Sequence, residues 1–118
     1  MDKYEMMNRT KKFSVRVYKI ADQLPPSCGA KNVNYQLMKS SSSVAANYRA
    51  ACRAKSKADF VNKLKIVEEE ADESHFWLAY MIDVDLIIDI DEQKALIKEA
   101  GELVAIFTSS LRTLRNAA

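Results

Sequence analysis

From residue 33 to residue 54, small and apolar side chains recur at Val33, Leu37, Ser40, Val44, Asn47, Ala51 and Ala54, in alternating steps of four and three. A residue turns by about 100° in an α-helix, so this spacing draws one stripe down one face. The stripe crosses the four-serine run Ser40–Ser43. Four serines in a row also suit a linker, but a linker has no reason to keep the helical period of its flanks. Read as helix, Ser40 lies on the seam, Ser41 and Ser43 flank it, and Ser42 points away. A weaker second row passes through Met38, Ser41, Ala45, Tyr48 and Cys52. Such a face admits a neighbouring helix closely, and each hydroxyl can bond back to a carbonyl of the preceding turn.

Three further segments carry the same alternation. The first runs through Met6, Thr10, Phe13, Val17, Ile20 and Leu24 and must stop before Pro25, because the residue preceding a proline is pushed out of the α region. A third begins near Lys57 and follows Phe60, Leu64, Val67, Ala71, Ser74, Leu78 and Met81. A fourth follows Leu96, Ala100, Leu103, Phe107, Ser110 and Leu114, with Asp89 and Glu92 placed as a capping box at its start. The chain has only two Gly and two Pro, the latter adjacent at Pro25–Pro26, far too few turn residues for an all-β fold. The expectation is one all-α domain over residues 1–118, an antiparallel up-down-up-down four-helix bundle. Ile97, Val104 and Leu111 form a second row in the last helix. With Trp77 and Tyr80 they give more apolar surface than one bundle core requires, which points to a homo-oligomer. No apolar run is long enough for a membrane span and the N-terminus has no apolar signal core, so a soluble, cytoplasmic protein with no membrane partner is expected. Cys28 and Cys52 read as free thiols.

The formal net charge of +2 conceals a split. Residues 1–65 hold 14 Lys/Arg and 4 Asp/Glu, a balance of 14 − 4 = +10; residues 66–118 hold 4 and 12, a balance of 4 − 12 = −8. Lys11, Lys12, Arg16 and Lys19 lie in the first helix. Lys39, Arg49 and Arg53 fall opposite the seam of the second, and Lys55 and Lys57 follow at the junction with the third. These nine are candidate phosphate contacts for RNA or DNA; the alternative is a solvated basic face. No aromatic-studded sheet accompanies them, so binding would be led by charge and shape.

Other polar residues suggest less. Asn47, on the seam, reads as a buried structural amide that fixes register or ties down a neighbouring helix, with a binding role as the alternative. Asp72-x-x-His75 has half of a carboxylate-bridged di-iron motif, but no second histidine exists to complete it. The acidic stretch Asp83–Glu92 has Leu86, Ile87 and Ile88 where a calcium loop needs glycine and oxygen ligands. There is no phosphate-binding glycine loop, nucleophile elbow or Cys/His pair, so neither a catalytic set nor a cofactor or metal site is expected.

SVAANYRAA and SKADFVNKLKIVEEEADESHFWL, with FSVRVYKIADQLP near the start, resemble the four-helix-bundle family of 23S ribosomal RNA intervening-sequence proteins. The similarity covers most of the chain and rests on Ser43–Val44, Asn47, the small residues that follow, Phe60, and the Glu-rich segment ending in Trp77–Leu78. It departs at Ala50, where the family usually has Glu. The resemblance implies a bundle that is commonly a homopentamer. Some such relatives are encoded within intervening sequences of ribosomal RNA genes. The distantly similar accessory variability determinant proteins of diversity-generating retroelements bind a reverse transcriptase and nucleic acid. Two functions are therefore expected in competition: a non-catalytic oligomeric scaffold that binds nucleic acid through its basic half, and a protein-binding adaptor whose basic face is merely solvated.

Overall fold

A computed structural model describes residues 2–117 and shows four α-helices joined by short connections: α1 (Lys3–Ala21), α2 (Cys28–Ala51), α3 (Lys57–Asp83) and α4 (Ile90–Asn116). Each start is set by a short side chain that accepts a backbone N–H otherwise left without a partner. Asp2 accepts from Glu5, Ser27 from Ala30, Ser56 from Asp59, and Asp89 from Glu92. The capping box expected at α4 forms only by half. Glu92 turns away to α1, and Gln93, fully buried, takes its place. Its Oε1 accepts from the backbone N–H groups of Ile88 and Asp89 at 2.7 and 2.9 Å, while its Nε2 donates to the Leu86 carbonyl. One amide thus fastens the whole α3–α4 connection.

The rod measures 49 × 21 × 21 Å. α1 packs against α2 and α4, and α3 against α2 and α4. α4 runs antiparallel to both α1 and α3, as rising numbers meet falling ones: Arg9 with Glu99 and Arg16 with Glu92, and His75 beside Gly101 and Glu68 with Thr108. The core holds Phe13, Val17, Leu37, Val44, Leu64, Leu78, Leu96, Leu103 and Phe107 at full or nearly full burial. The serine run lies inside α2. Ser40 is fully buried, and the Ser74 hydroxyl of α3 meets its Oγ at 3.0 Å.

The stripes of α1 and α3 keep their steps. Beyond the end of α1, Leu24 is half-buried in the connection, and beyond α2 so is Ala54. In α2 and α4 the stripe slips by one residue after two heptads. Tyr48, not Asn47, is the buried residue in α2; Leu111, not Ser110, is the buried residue in α4. A straight helix drifts about 20° per heptad against a seven-residue repeat, so the next residue along moves into the core. Asn47 is therefore half-buried and ties down no other helix: its Nδ2 donates to the Ser43 carbonyl of its own helix at 2.9 Å. Leu111 likewise leaves the surplus apolar row for the core, and Ile97 and Val104 pack half-buried against it. On α3, exposed Phe76 and Tyr80 touch each other and half-buried Trp77, with ring centroids 5.0–5.8 Å apart.

Candidate nucleic-acid interface

Lys11 of α1 and Arg49 of α2 flank a groove of about 410 Å³ between the two helices, whose remaining walls are Met7, Asn8, Ala45 and Ala46. Towards the N-terminus of α1 the groove continues between Lys3, Tyr4 and Met7 on one side and Arg49, Cys52 and Arg53 on the other. The local sequence explains the shape. Ala45 and Ala46 have no bulk with which to fill the space between the helices, and the long basic side chains rise from its edges. Three of the nine expected cations, Lys11, Arg49 and Arg53, thus converge on one channel.

The others disperse. Lys12 sits about 100° around α1 from Lys11, and Lys19, seven residues on, shares its side. Arg16 is not a free cation. Its Nε and Nη2 donate to both oxygens of Glu92 at 3.0 and 2.7 Å, so it joins α1 to α4 and is withdrawn from phosphate contact. Hydrogen bonding to Arg16 also holds the Glu92 carboxyl below its ordinary range. Arg9 makes the equivalent fork to Glu99, with both bonds at 2.8 Å. Lys39 stands on the outer face of α2, 5.9 Å from the ring centre of Tyr35, and is near enough to Glu70 to oppose that carboxyl's upward shift, which burial causes first and Glu73 adds to. Lys57 donates from Nζ to the Ala117 carbonyl at 2.8 Å, and Lys55 is exposed in the α2–α3 turn, where its backbone N–H binds Asp59.

Charge counting by halves misses a sharper signal. No Asp or Glu occurs between Asp22 and Asp59, so α2 and the α2–α3 connection carry no carboxylate at all. It also misses Lys3, Tyr4, Asn8, Lys31 and Tyr35, which share the α1–α2 exterior with the predicted cations. None of these positions contributes to an apolar seam, so helical periodicity gives no reason to single them out.

Elsewhere the chemistry is structural. Burial pushes the Tyr48 phenol well above its ordinary range, so the ring stays neutral against Phe107, 5.7 Å away. His75 lies half-buried beside Gly101 in the α3–α4 seam. Cys28 and Cys52 are free. Among the described residues no three His, Cys, Asp or Glu side chains gather as a metal site, and no helix is long and apolar enough to cross a membrane.

The model of one protein family, described as 23S rRNA-intervening sequence protein, matches residues 2–109, which takes in all of α1, α2 and α3 and most of α4. The chain belongs to the 23S rRNA-intervening sequence protein family. A solved structure agrees: a protein of unknown function from the S23 ribosomal protein family of Bacteroides thetaiotaomicron VPI-5482 superposes with a TM-score of 0.83 at 27% identity, covering 95% of this chain and 99% of that one. A comparison with curated proteins gives no match. As a 23S rRNA-intervening sequence protein, the chain has a four-helix architecture shared with a relative over nearly its whole length.

Proposed function

We propose that the protein is a non-catalytic helical scaffold that binds RNA through the α1–α2 exterior. The observation that carries this reading is the channel in which Lys3, Lys11, Arg49 and Arg53 converge beside a helix free of carboxylates. A polyanion laid along it meets cations from two helices and no like charge from α2, and the association is driven by release of its counterions. The family description, which names an intervening sequence of 23S rRNA, supports RNA as the polyanion. The exposed rings of Phe76 and Tyr80, beside half-buried Trp77, support self-association on the opposite half. A multimer displays several copies of the channel and gains avidity from weak single contacts. Light scattering is expected to report a multiple of 13.4 kDa.

The deciding experiment titrates labelled structured RNA and duplex DNA with the wild-type protein and with the Lys11→Gln/Arg49→Gln/Arg53→Gln variant. The variant is expected to bind more weakly to every sequence, with a flatter dependence of log affinity on log salt, by at most ~1 for each phosphate it no longer neutralises. Helicity should be unchanged, because all three side chains stand clear of the core. Absence of wild-type binding near physiological salt overturns the RNA reading and leaves the protein adaptor.

A further inference from the structure

Three tyrosines are the most exposed aromatic residues of the described chain: Tyr4 at 67%, Tyr35 at 64% and Tyr18 at 56%. They are not scattered. Tyr4, Lys11 and Tyr18 follow one another at seven-residue steps and so form a single stripe along α1. Lys11 and Tyr4 each line the α1–α2 channel, so the stripe is its α1 bank. On α2, Tyr35, Ser42 and Arg49 repeat the same step and form a second stripe, in which Arg49 lines the channel while Tyr35 and Ser42 line a hollow of α2 residues further along the helix. The two helices run antiparallel, since Asn34 donates to the Ala21 carbonyl while Lys11 and Ala45 line one groove further along. Tyr18 therefore falls across from Met38, one turn from Tyr35. The α1–α2 surface thus carries Tyr18 and Tyr35 beyond one end of the channel, Tyr4 at the other, and Lys11 with Arg49 between. Two of the rings already carry a cation, with Lys3 5.3 Å from the centre of Tyr4 and Lys39 5.9 Å from that of Tyr35.

Exposed aromatic faces alternating with cations suit one kind of polyanion better than another. In a duplex the bases are stacked on each other and offer no free face, and the major groove of A-form RNA is too deep and narrow for side chains to read. A single strand presents unstacked bases to tyrosine and phosphates to lysine and arginine at the same time. The stripe from Tyr4 to Tyr18 is about 21 Å long, room for a short run of splayed nucleotides. We infer that the α1–α2 channel takes single-stranded RNA, with bases stacked on Tyr4, Tyr18 and Tyr35 and phosphates held by Lys11, Arg49 and Arg53. This inference rests on the RNA reading of the same surface and adds the strandedness of its ligand.

The test compares four probes at one salt concentration: an unstructured uridine strand, the same backbone made abasic, the same sequence as DNA, and an RNA duplex. The wild-type protein is expected to bind the uridine strand at least about five-fold more tightly than the abasic strand, the least that one base–aromatic stack gives. Tyr4→Leu/Tyr18→Leu/Tyr35→Leu is expected to lose on the order of 100-fold on the uridine strand if all three rings stack, and to leave duplex binding unchanged. Replacing the same tyrosines by Phe keeps the stacking face and is expected to restore the affinity. Equal binding of the uridine and abasic strands, or a duplex preference, overturns the stacking inference. If Lys11→Gln/Arg49→Gln/Arg53→Gln still weakens binding in that case, the phosphate-led reading survives alone. Tighter binding of the DNA strand overturns RNA as the ligand, and silence with all four probes overturns both readings. The abasic comparison needs no variant, so it decides even where the Leu protein fails to fold.

Discussion

At the centre of the α2–α3 seam, Ser40 and Ser74 meet hydroxyl to hydroxyl, with Ala71 one turn away, and the two helices share the most extensive contact of any pair in the bundle. α1 and α4 make the sparsest approach, and two long guanidinium groups bridge them to Glu99 and Glu92. Close approach of short side chains gains dispersion along the whole seam and leaves no spare volume. Its hydroxyls add little cost because each has partners within reach: the Glu70 carbonyl lies 2.8 Å from the Ser74 Oγ and the Leu37 carbonyl 3.3 Å from the Ser40 Oγ. The Arg forks span a wider gap, but they remain partly exposed, where water screens the charges and the net gain is small. The comparison separates two ways of joining helices: one intolerant of added bulk, the other tolerant of it and sensitive to solvent conditions.

Adding volume at the tight seam should give the largest effect. Ser40→Leu is expected to cost about 3 kcal/mol through overpacking and to lower Tm by roughly 10 °C, measured by thermal denaturation. An unchanged Tm would mean that the seam has room to spare. Cutting both forks comes next. Arg9→Met/Arg16→Met should cost about 1 kcal/mol in all, seen in urea denaturation. The apolar stems that cover the core edge are retained. The wild-type protein should lose most of that difference in high salt and the variant should lose none.

Acid should drive the two seams in opposite directions. Arg16 holds the folded Glu92 below its ordinary value of 4.5, so its contribution is complete above that pH and is lost as pH falls through the lower folded value. Burial raises Glu70, so the folded protein binds that proton more readily and gains stability as pH falls towards 4.5 and below. Glu92→Gln should remove part of the acid loss and Glu70→Gln part of the acid gain. Each difference is expected to be near 0.5 kcal/mol in stability curves recorded across that window. The smallest effect belongs to Asn47→Ala. The amide serves only its own helix, and Ala is the better helix former, so the expected change lies within about 0.5 kcal/mol. A loss of several times that amount would show that Asn47 joins two helices after all.

The serine run shows how much of such a seam is legible in sequence. Ser40 and Ser74 sit in a four-three pattern with apolar neighbours, and burial of a small polar face follows from period alone. The same pattern misplaces Asn47 and Ser110, because the strict heptad and the true helical turn diverge over two repeats. The α1–α4 seam is hidden for another reason: Arg16 and Glu92 are 76 residues apart, and neither helix's own stripe records which turn of the other it faces. Arg16 therefore reads as a free cation until the fold is known. For the candidate interface, the charge split points to the two helices that border the channel. It cannot tell that Lys11 and Arg49 share a channel while Lys12 and Lys19 turn aside, since that depends on where α2 lies around α1.

The split between a half of +10 and a half of −8 also makes the protein an electric dipole, nearly neutral as a whole. A nearly neutral body gains little attraction from a distant polyanion, but the field of that polyanion exerts a torque on it. Within about 10 Å, the screening length at 0.1 M salt, the field of any polyanion turns the protein so that its carboxylate-free helix faces it. Collisions from the acidic side are then deflected before contact, so orientation is chosen during diffusion and not by trial at the surface.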